Sequence, residues 1–305
     1  MADSPPLFKR LPPAQIFLNE ANGAVTSYRI QGQIQGQIQG QIQGQIKGQI
    51  SSGMMGPALL FLHGFNGSSQ SWACQFEHFA DRIVIAVDAP GFGQSHAHEG
   101  GMAQTADEIA ALLAHLGIAQ AVIIGHSMGG MLGQVLAARH GDICAALVLS
   151  CTHKGRAQPL GTPLGPAVLE RIEQRENMDD APYGALRVRK MLAPDADSYV
   201  APDIMAFLAA VAGQIKTSGI RSGGMAMHHL DTTSLLSAIL VPVLIITAEL
   251  DIVVTASASA ALKAGLPKAQ TVHLAGVGHA PYCENAGRFN AALDHFFDGC
   301  VPAAL

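Results

Sequence analysis

The stretch that most restricts the fold of this chain is "AVIIGHSMGGMLGQVLAARH", residues 121–140. An apolar run, a turn between two glycines and a helix-period segment follow one another there with no linker. An apolar run of this kind, unbroken by polar positions, fits a strand covered on both faces, as in a parallel sheet. Parallel strands need crossover connections, so further apolar runs should alternate with helices. "ALLFL" (58–62), "IVIAVD" (83–88) and "AALVLS" (145–150) have the same character, and Ala106, Ile109, Ala110, Leu113 and Leu116 recur at three- and four-residue steps along one helical face. "VPVLIITA" (241–248), "QTVHL" (270–274) and a helix-period run from Arg288 to Phe297 resume the pattern later. The order predicts an α/β fold with a mostly parallel sheet.

Two segments break the rhythm. From Gly155 to Asp231 no strand pattern survives, and Pro159, Pro163, Pro166, Pro182, Pro194 and Pro202 divide the chain into short helical pieces. This predicts a helical insertion over 155–231, placed to act as a lid, with the core formed by 51–154 and 232–305. Nine of the 18 Lys and Arg residues lie between Lys154 and Asp231, so some could face the pocket and bind a carboxylate on the substrate; nine acids share that segment, so a solvated helical surface is the expectation and no single Arg is assigned to a site. Met191, Met205, Met225 and Met227 are expected in its core or in a pocket wall.

The other break is a four-residue unit (Gln or Lys, Gly, Gln, Ile) repeated five times from Gln31 to Ile50. In a helix each glycine would cost roughly 1 kcal/mol relative to Ala, and the isoleucines would wind around the axis. Extended, the segment would reach roughly 65 Å, so it must fold back or loop out. "AQIFLNE" and "AVTSYRI" precede it, within an N-terminal segment 1–30, and predict an antiparallel pair at the outer edge of the sheet. The repeat then lies in the connection from an edge strand to the sheet body, where added length costs little. A protruding hairpin, or pairing between copies in a homo-oligomer, is its alternative role.

Charge and composition exclude several classes. A net charge of −5 without a basic run gives no basis for binding nucleic acid. No stretch approaches the 18 or more apolar residues of a membrane span, and "MADSPPLFKRLPP" lacks the apolar core of a signal peptide, so a cytoplasmic protein is expected. Cys74, Cys144, Cys151, Cys283 and Cys300 are scattered, with no Cys-x-x-Cys pair for zinc or redox work. Reduced thiols are expected and no metal is called for.

The chemistry concentrates at Gly125-His126-Ser127-Met128-Gly129. The pattern Gly-x-Ser-x-Gly is weak alone in a chain with 33 glycines, but here it stands between a strand and a helix, where a tight turn projects the serine hydroxyl. Gly125 and Gly129 occupy the places where a side chain would obstruct that turn. A serine needs a base and an orienting acid. "GVGHAP" follows the last strand and offers His279, while "IITAELD" closes the preceding one and offers Asp251, with Glu249 as the second choice. The order Ser127, Asp251, His279 differs from those of chymotrypsin and subtilisin. The N–H of Met128 and, from the loop "HGFNG", the N–H of Phe65 are the expected oxyanion donors. His63, Gly64 and His126 are expected to shape the loops.

Four ordered motifs, "HGFNG", "DAPGFGQS", "GHSMGG" and "GHAPYCENAGRF", make the chain resemble α/β-hydrolase fold enzymes with a helical cap, over about residues 58–297. The resemblance implies an eight-stranded, mostly parallel sheet flanked by helices, a cap inserted after the sixth strand, and no cofactor. "SMGG" and "LVLSCT" are similar to the 3-oxoadipate enol-lactonase-like group, and "SMGG" also to hydrolases of aromatic ring-cleavage products. It implies a hydrolase of a small ester or lactone working through an acyl-enzyme. Carbon–carbon bond hydrolysis is the alternative reaction, and a non-catalytic ligand receptor the alternative class.

Overall fold

The computed structural model describes residues 6–32, 34–35, 49–50 and 56–300. Strands β1 (Ala14–Asn19), β2 (Ala24–Gln31), β3 (Ile34–Gln35), β4 (Gln49–Ile50) and β5 (Ala58–Leu62) come first. Helix α1 (Ala73–His78), β6 (Val84–Val87), α2 (Gly101–His115), β7 (Ala121–His126), α3 (Met128–Arg139) and β8 (Cys144–Ser150) follow. Four helices then intervene: α4 (Pro166–Asn177), α5 (Asp180–Met191), α6 (Pro202–Gly213) and α7 (Thr217–His229). The chain closes with β9 (Val243–Ala248), α8 (Ala256–Gly265), β10 (Gln270–Leu274), α9 (Pro281–Glu284) and α10 (Ala286–Cys300).

Eight strands form one sheet in the order β1-β2-β6-β5-β7-β8-β9-β10. The pairs β1·β2 and β2·β6 are antiparallel and the remaining pairs are parallel, so the expected mixed sheet with an N-terminal edge hairpin is observed. The α4–α7 segment follows the sixth strand of this sheet, as expected. Residues 155–165 cross to it without helix, so its helical part begins later than proline spacing suggested.

The central strands are buried along their whole length because alternate residues serve two different cores. Leu60, Leu62, Ile123 and Leu147 face a layer built with Leu112 of α2 and Leu136 of α3. Leu59, Phe61, Val122 and Val148 face the opposite layer, where Phe76 of α1 and Phe289 and Phe296 of α10 pack. Each such side chain contributes about 1.5–3 kcal/mol by leaving water. A one-residue slip would exchange the two sets, which pins the register.

Register also locates the two ends of the sheet. Gln31 at the end of β2 pairs with Val84 at the start of β6, and Ala58 at the start of β5 pairs with Ala121 at the start of β7. The connection that contains the repeat therefore leaves and rejoins the sheet at the N-terminal edge of the parallel strands. The first residue of the repeat, Gln31, belongs to β2, and its amide donates to the carbonyls of Phe76 (2.8 Å) and Phe79 (2.9 Å). Ile34 pairs with Ile50 and Gln35 with Gln49, an antiparallel closure. The other units of the repeat lie outside the described residues.

Candidate active site

The loops that follow β5, β7, β8, β9 and β10 emerge together at the C-terminal edge of the parallel strands, where open α/β sheets place their ligands. Ser127 stands between β7 and α3 with φ 52° and ψ −114°, a left-handed conformation that costs a non-glycine residue about 1–3 kcal/mol. Close packing holds it there. A Cβ at Gly125 would lie 2.3 Å from the Gly129 carbonyl oxygen, and one at Gly129 would lie 2.1 Å from that of Leu62. The obstruction predicted for these positions is thus backbone against backbone, across the turn itself at Gly125 and between the turn and the end of strand β5 at Gly129. Ser127 is further fixed by its N–H donating to the Ser150 carbonyl (2.9 Å) and its carbonyl accepting from the Thr152 hydroxyl (2.6 Å).

His279 and Asp251 meet Ser127. The Ser127 hydroxyl donates to His279 Nε2 at 3.1 Å. On the other side of the ring, His279 Nδ1–H donates to Asp251 Oδ2 (2.9 Å) and Oδ1 (3.0 Å). An ionised carboxylate only accepts, so the proton lies on Nδ1 and Nε2 is free to take one from the serine. Asp251 Oδ1 also accepts from the N–H groups of Val253 (2.8 Å) and Val254 (2.9 Å). Burial alone would raise this carboxyl, but the hydrogen bond and charge of His279, with those two amides, bring it below its ordinary value. Glu249 turns elsewhere: its Oε2 accepts from the Gly276 N–H at 2.7 Å, so the second choice for the acid has a loop role.

The supporting residues expected from sequence are all at the site. His63 is buried, accepts from the Ala89 N–H through Nε2 (2.9 Å) and donates through Nδ1 to the Gly64 carbonyl (2.8 Å), pinning the loop after β5. A Cβ at Gly64 would come 2.8 Å from the His126 ring, so only glycine lets that loop approach the turn. The His126 ring packs tilted against that of His279 (4.8 Å) and edge-on against that of Tyr282 (4.9 Å). Burial, then the nearby charge of His279, holds its imidazole well below the ordinary range and therefore neutral. Among the described residues, neither the Phe65 nor the Met128 N–H has a hydrogen-bond acceptor, and Met128 opens helix α3.

Three contributors escaped the sequence analysis. Glu284 brackets His279, its two oxygens accepting from the N–H groups of Gly278 (2.8 Å) and Ala280 (2.6 Å). Its position five residues beyond His279, inside "GHAPYCENAGRF", was the available signal. Thr152 anchors the serine as described above. Arg171 of α4 donates to the Phe65 carbonyl (2.7 Å) and, through Nε, to the Tyr183 hydroxyl (3.1 Å). Most bases of the insertion do face solvent, but Arg171 and Arg187 are exceptions: both are buried, and each reaches a polar partner at its tip. Met191 is also buried and forms part of the pocket wall.

A cavity of about 200 Å³ lies over Ser127 and His279, bounded below by the loops after β5 and β7 and above by α4 and α5. The arrangement is suited to attack by Ser127 on a polarised carbon, with His279 carrying the proton.

An alpha/beta hydrolase fold family model matches residues 57–286. The AB hydrolase superfamily protein YisY of Bacillus subtilis is 26% identical over 79% of this chain and 91% of its own length. Among solved structures, the enol-lactonase from Burkholderia xenovorans LB400 superposes with a TM-score of 0.73 at 23% identity, covering 91% of this chain and 98% of its own. A thermophilic esterase from Thermogutta terrifontis, malate bound, gives 0.74 at 23% identity over 95% and 100%. With three-quarters of its length matched by that family model and the eight-stranded sheet in place, the chain belongs to the α/β-hydrolase fold family.

Proposed function

We propose that this protein is a serine hydrolase of small carboxylic esters or lactones, working through an acyl-enzyme. The observation that carries this reading is the chain of hydrogen bonds from Ser127 through His279 to Asp251 at a strained strand-to-helix turn. Ser127 Oγ attacks the carbonyl carbon as its proton passes to His279 Nε2, and Asp251 stabilises the imidazolium. The oxyanion takes hydrogen bonds from the Met128 and Phe65 N–H groups, aided by the N-terminus of α3. His279 then protonates the leaving alkoxide, and water, deprotonated by the same nitrogen, releases the acid. In a lactone the alkoxide stays on the acyl chain, so one hydroxy acid results.

Helices α4–α7 serve as a cap that closes the site, and the cavity of about 200 Å³ suits a compact substrate, below the roughly 300 Å³ at which drug-sized sites begin. The esterase and the enol-lactonase among the structural relatives agree with this reaction class. No helix among the described residues is long and apolar enough to cross a membrane. Treatment with a fluorophosphonate probe tests the proposal. Labelling at Ser127, abolished in Ser127→Ala together with ester turnover, is expected. Turnover surviving in Ser127→Ala would overturn the acyl-enzyme, and cleavage of a ring-fission dienoate in preference to any ester would point to carbon–carbon hydrolysis.

A further inference from the structure

The geometry points to an inhibitory metal site behind Ser127, in which Cys151, Asp251 and His279 together hold one divalent transition-metal ion such as zinc. Its binding stands apart from the serine hydrolase reading, and its effect on turnover rests on that reading.

Cys151 opens the loop after β8 with φ 45°, one of three non-glycine residues among those described that adopt a positive φ, and Ser127 is another. Backbone strain of this kind persists where the surrounding fold enforces it, commonly at functional sites. The Cys151 sulfur, an Asp251 carboxylate oxygen and a His279 ring nitrogen all lie within 4.8 Å of one another. No other three His, Cys, Asp or Glu side chains among the described residues converge in this way. Sulfur, nitrogen and oxygen donors in one cluster make a zinc-type set, which hard ions such as magnesium do not favour. Tetrahedral ligands of zinc stand about 3.3–3.6 Å apart, so side-chain shifts of about 1 Å close the cluster around an ion. Asp251 keeps its anchor through such a shift. Its Oδ1 takes the N–H groups of Val253 and Val254, while Oδ2 faces His279.

Burial, and then the charge of Asp251, push the Cys151 thiol well above its ordinary range, so the free protein keeps it protonated. The ion has to displace that proton, which limits affinity to the micromolar range. Once bound, a divalent cation, a thiolate and a carboxylate sum to zero charge, the form that a buried site tolerates. The ring nitrogen facing Asp251 is Nδ1, 2.9 Å from Oδ2. When Nδ1 ligates the ion it gives up its proton and Nε2 gains one, so the imidazole stays neutral and one proton in total, that of the thiol, passes to solvent. Protonated Nε2 no longer accepts from the Ser127 hydroxyl 3.1 Å away, and the serine loses its base. Neither Cys151 nor Asp251 lines the cavity over Ser127. Both line a separate cavity of about 400 Å³ between β9, β10 and α8, so the ion arrives from the side away from the substrate.

Zinc chloride at about 100 µM, assayed with 4-nitrophenyl butyrate, is expected to lower kcat about tenfold and leave KM unchanged, as for a Kd of about 10 µM. Excess EDTA should restore the rate, and magnesium chloride at the same concentration should have no effect. Cys151→Ser should keep turnover within about twofold of wild type without zinc and lose the inhibition. Inhibition unchanged in Cys151→Ser, inhibition that raises KM alone, or equal inhibition by magnesium would overturn the proposal. Cadmium titration reads the site without turnover. Wild type should gain a sulfur-to-metal absorption band, and the part of it that belongs to one equivalent of cadmium should vanish in Cys151→Ser; identical titrations of the two proteins count against the site. Should Cys151→Ser not fold, Cys151→Ala takes its place, and inhibition of wild type that is competitive with the ester is by itself enough to refute the site. A cadmium band lost in Cys151→Ser from a protein without ester turnover would keep the metal site and remove the hydrolase. Turnover indifferent to zinc would do the reverse.

Discussion

Arg171 lies 3.9 Å above the ring of Phe65 while donating at 2.7 Å to that residue's own carbonyl, so a helix of the insertion grips the loop that carries a proposed oxyanion donor. Replacing it by Met removes a buried charged hydrogen bond and a cation–π contact and lets the loop drift. A shift of about 1 Å in a reacting group lowers rate by up to about 100-fold. We expect kcat to fall about 10- to 100-fold in Arg171→Met, with partial recovery in Arg171→Lys. Steady-state kinetics check this, and a change confined to KM would show that the grip does not reach the chemistry.

Asp251 and Glu249 lie two residues apart but have separate partners. Asp251→Asn should trap His279 in the wrong tautomer and reduce kcat by about 10⁴-fold, the size of effect known for such changes. Glu249→Gln keeps an acceptor for the Gly276 N–H and should alter kcat less than about threefold. Parallel assays of the two variants decide between them as the orienting acid; equal losses would contradict the assignment.

Burial lowers the imidazole pKa of His63, His126 and His153 alike. The folded protein keeps these rings neutral below the pH at which the unfolded chain, near 6.5, binds protons. Folding stability should therefore decline as pH falls through 6.5, by at most about 1.4 kcal/mol per pH unit for each ring. Urea unfolding at pH 7.5, 6.5 and 5.5 measures the slope. His126→Leu should flatten it, and an unchanged slope would show that this ring is not a contributor.

Shortening the repeat by two units, residues 37–44, leaves the closing pairs Ile34 with Ile50 and Gln35 with Gln49 in place. Loop-closure entropy changes by only about 0.6 kcal/mol when a loop is halved. Unfolding free energy should therefore move by less than about 1 kcal/mol and kcat by less than about twofold. A large loss of turnover in a folded variant would give the repeat a part in the site.

The parts of this molecule that sequence made legible are those whose neighbours along the chain determine them. Ser127 was readable because the strand, the two glycines and the helix that expose it are contiguous, and Asp251 and His279 because each lies in the loop that follows a strand of a sheet whose order was already implied. Glu249 and Asp251 were harder to separate, since two residues of loop decide which one turns toward His279. Arg171 and Arg187 were not legible. Nine bases and nine acids share that segment, and which of them turn inward depends on how α4 and α5 pack on a loop more than 100 residues away. Glu284 was missed for a similar reason: its sequence neighbours show a turn, but only the fold shows its carboxylate pointing back along the chain to the amides on either side of His279.

The connection that contains the repeat departs from Gln31 and returns at Ala58, both at the sheet edge opposite the loops around Ser127. Both anchor points of that connection therefore stand at the end of the sheet away from the nucleophile. That end is a natural graft point. A passenger domain, or a tether to a solid support, spliced into that connection would join the molecule between Gln31 and Ala58, at the opposite end of the strands from Ser127.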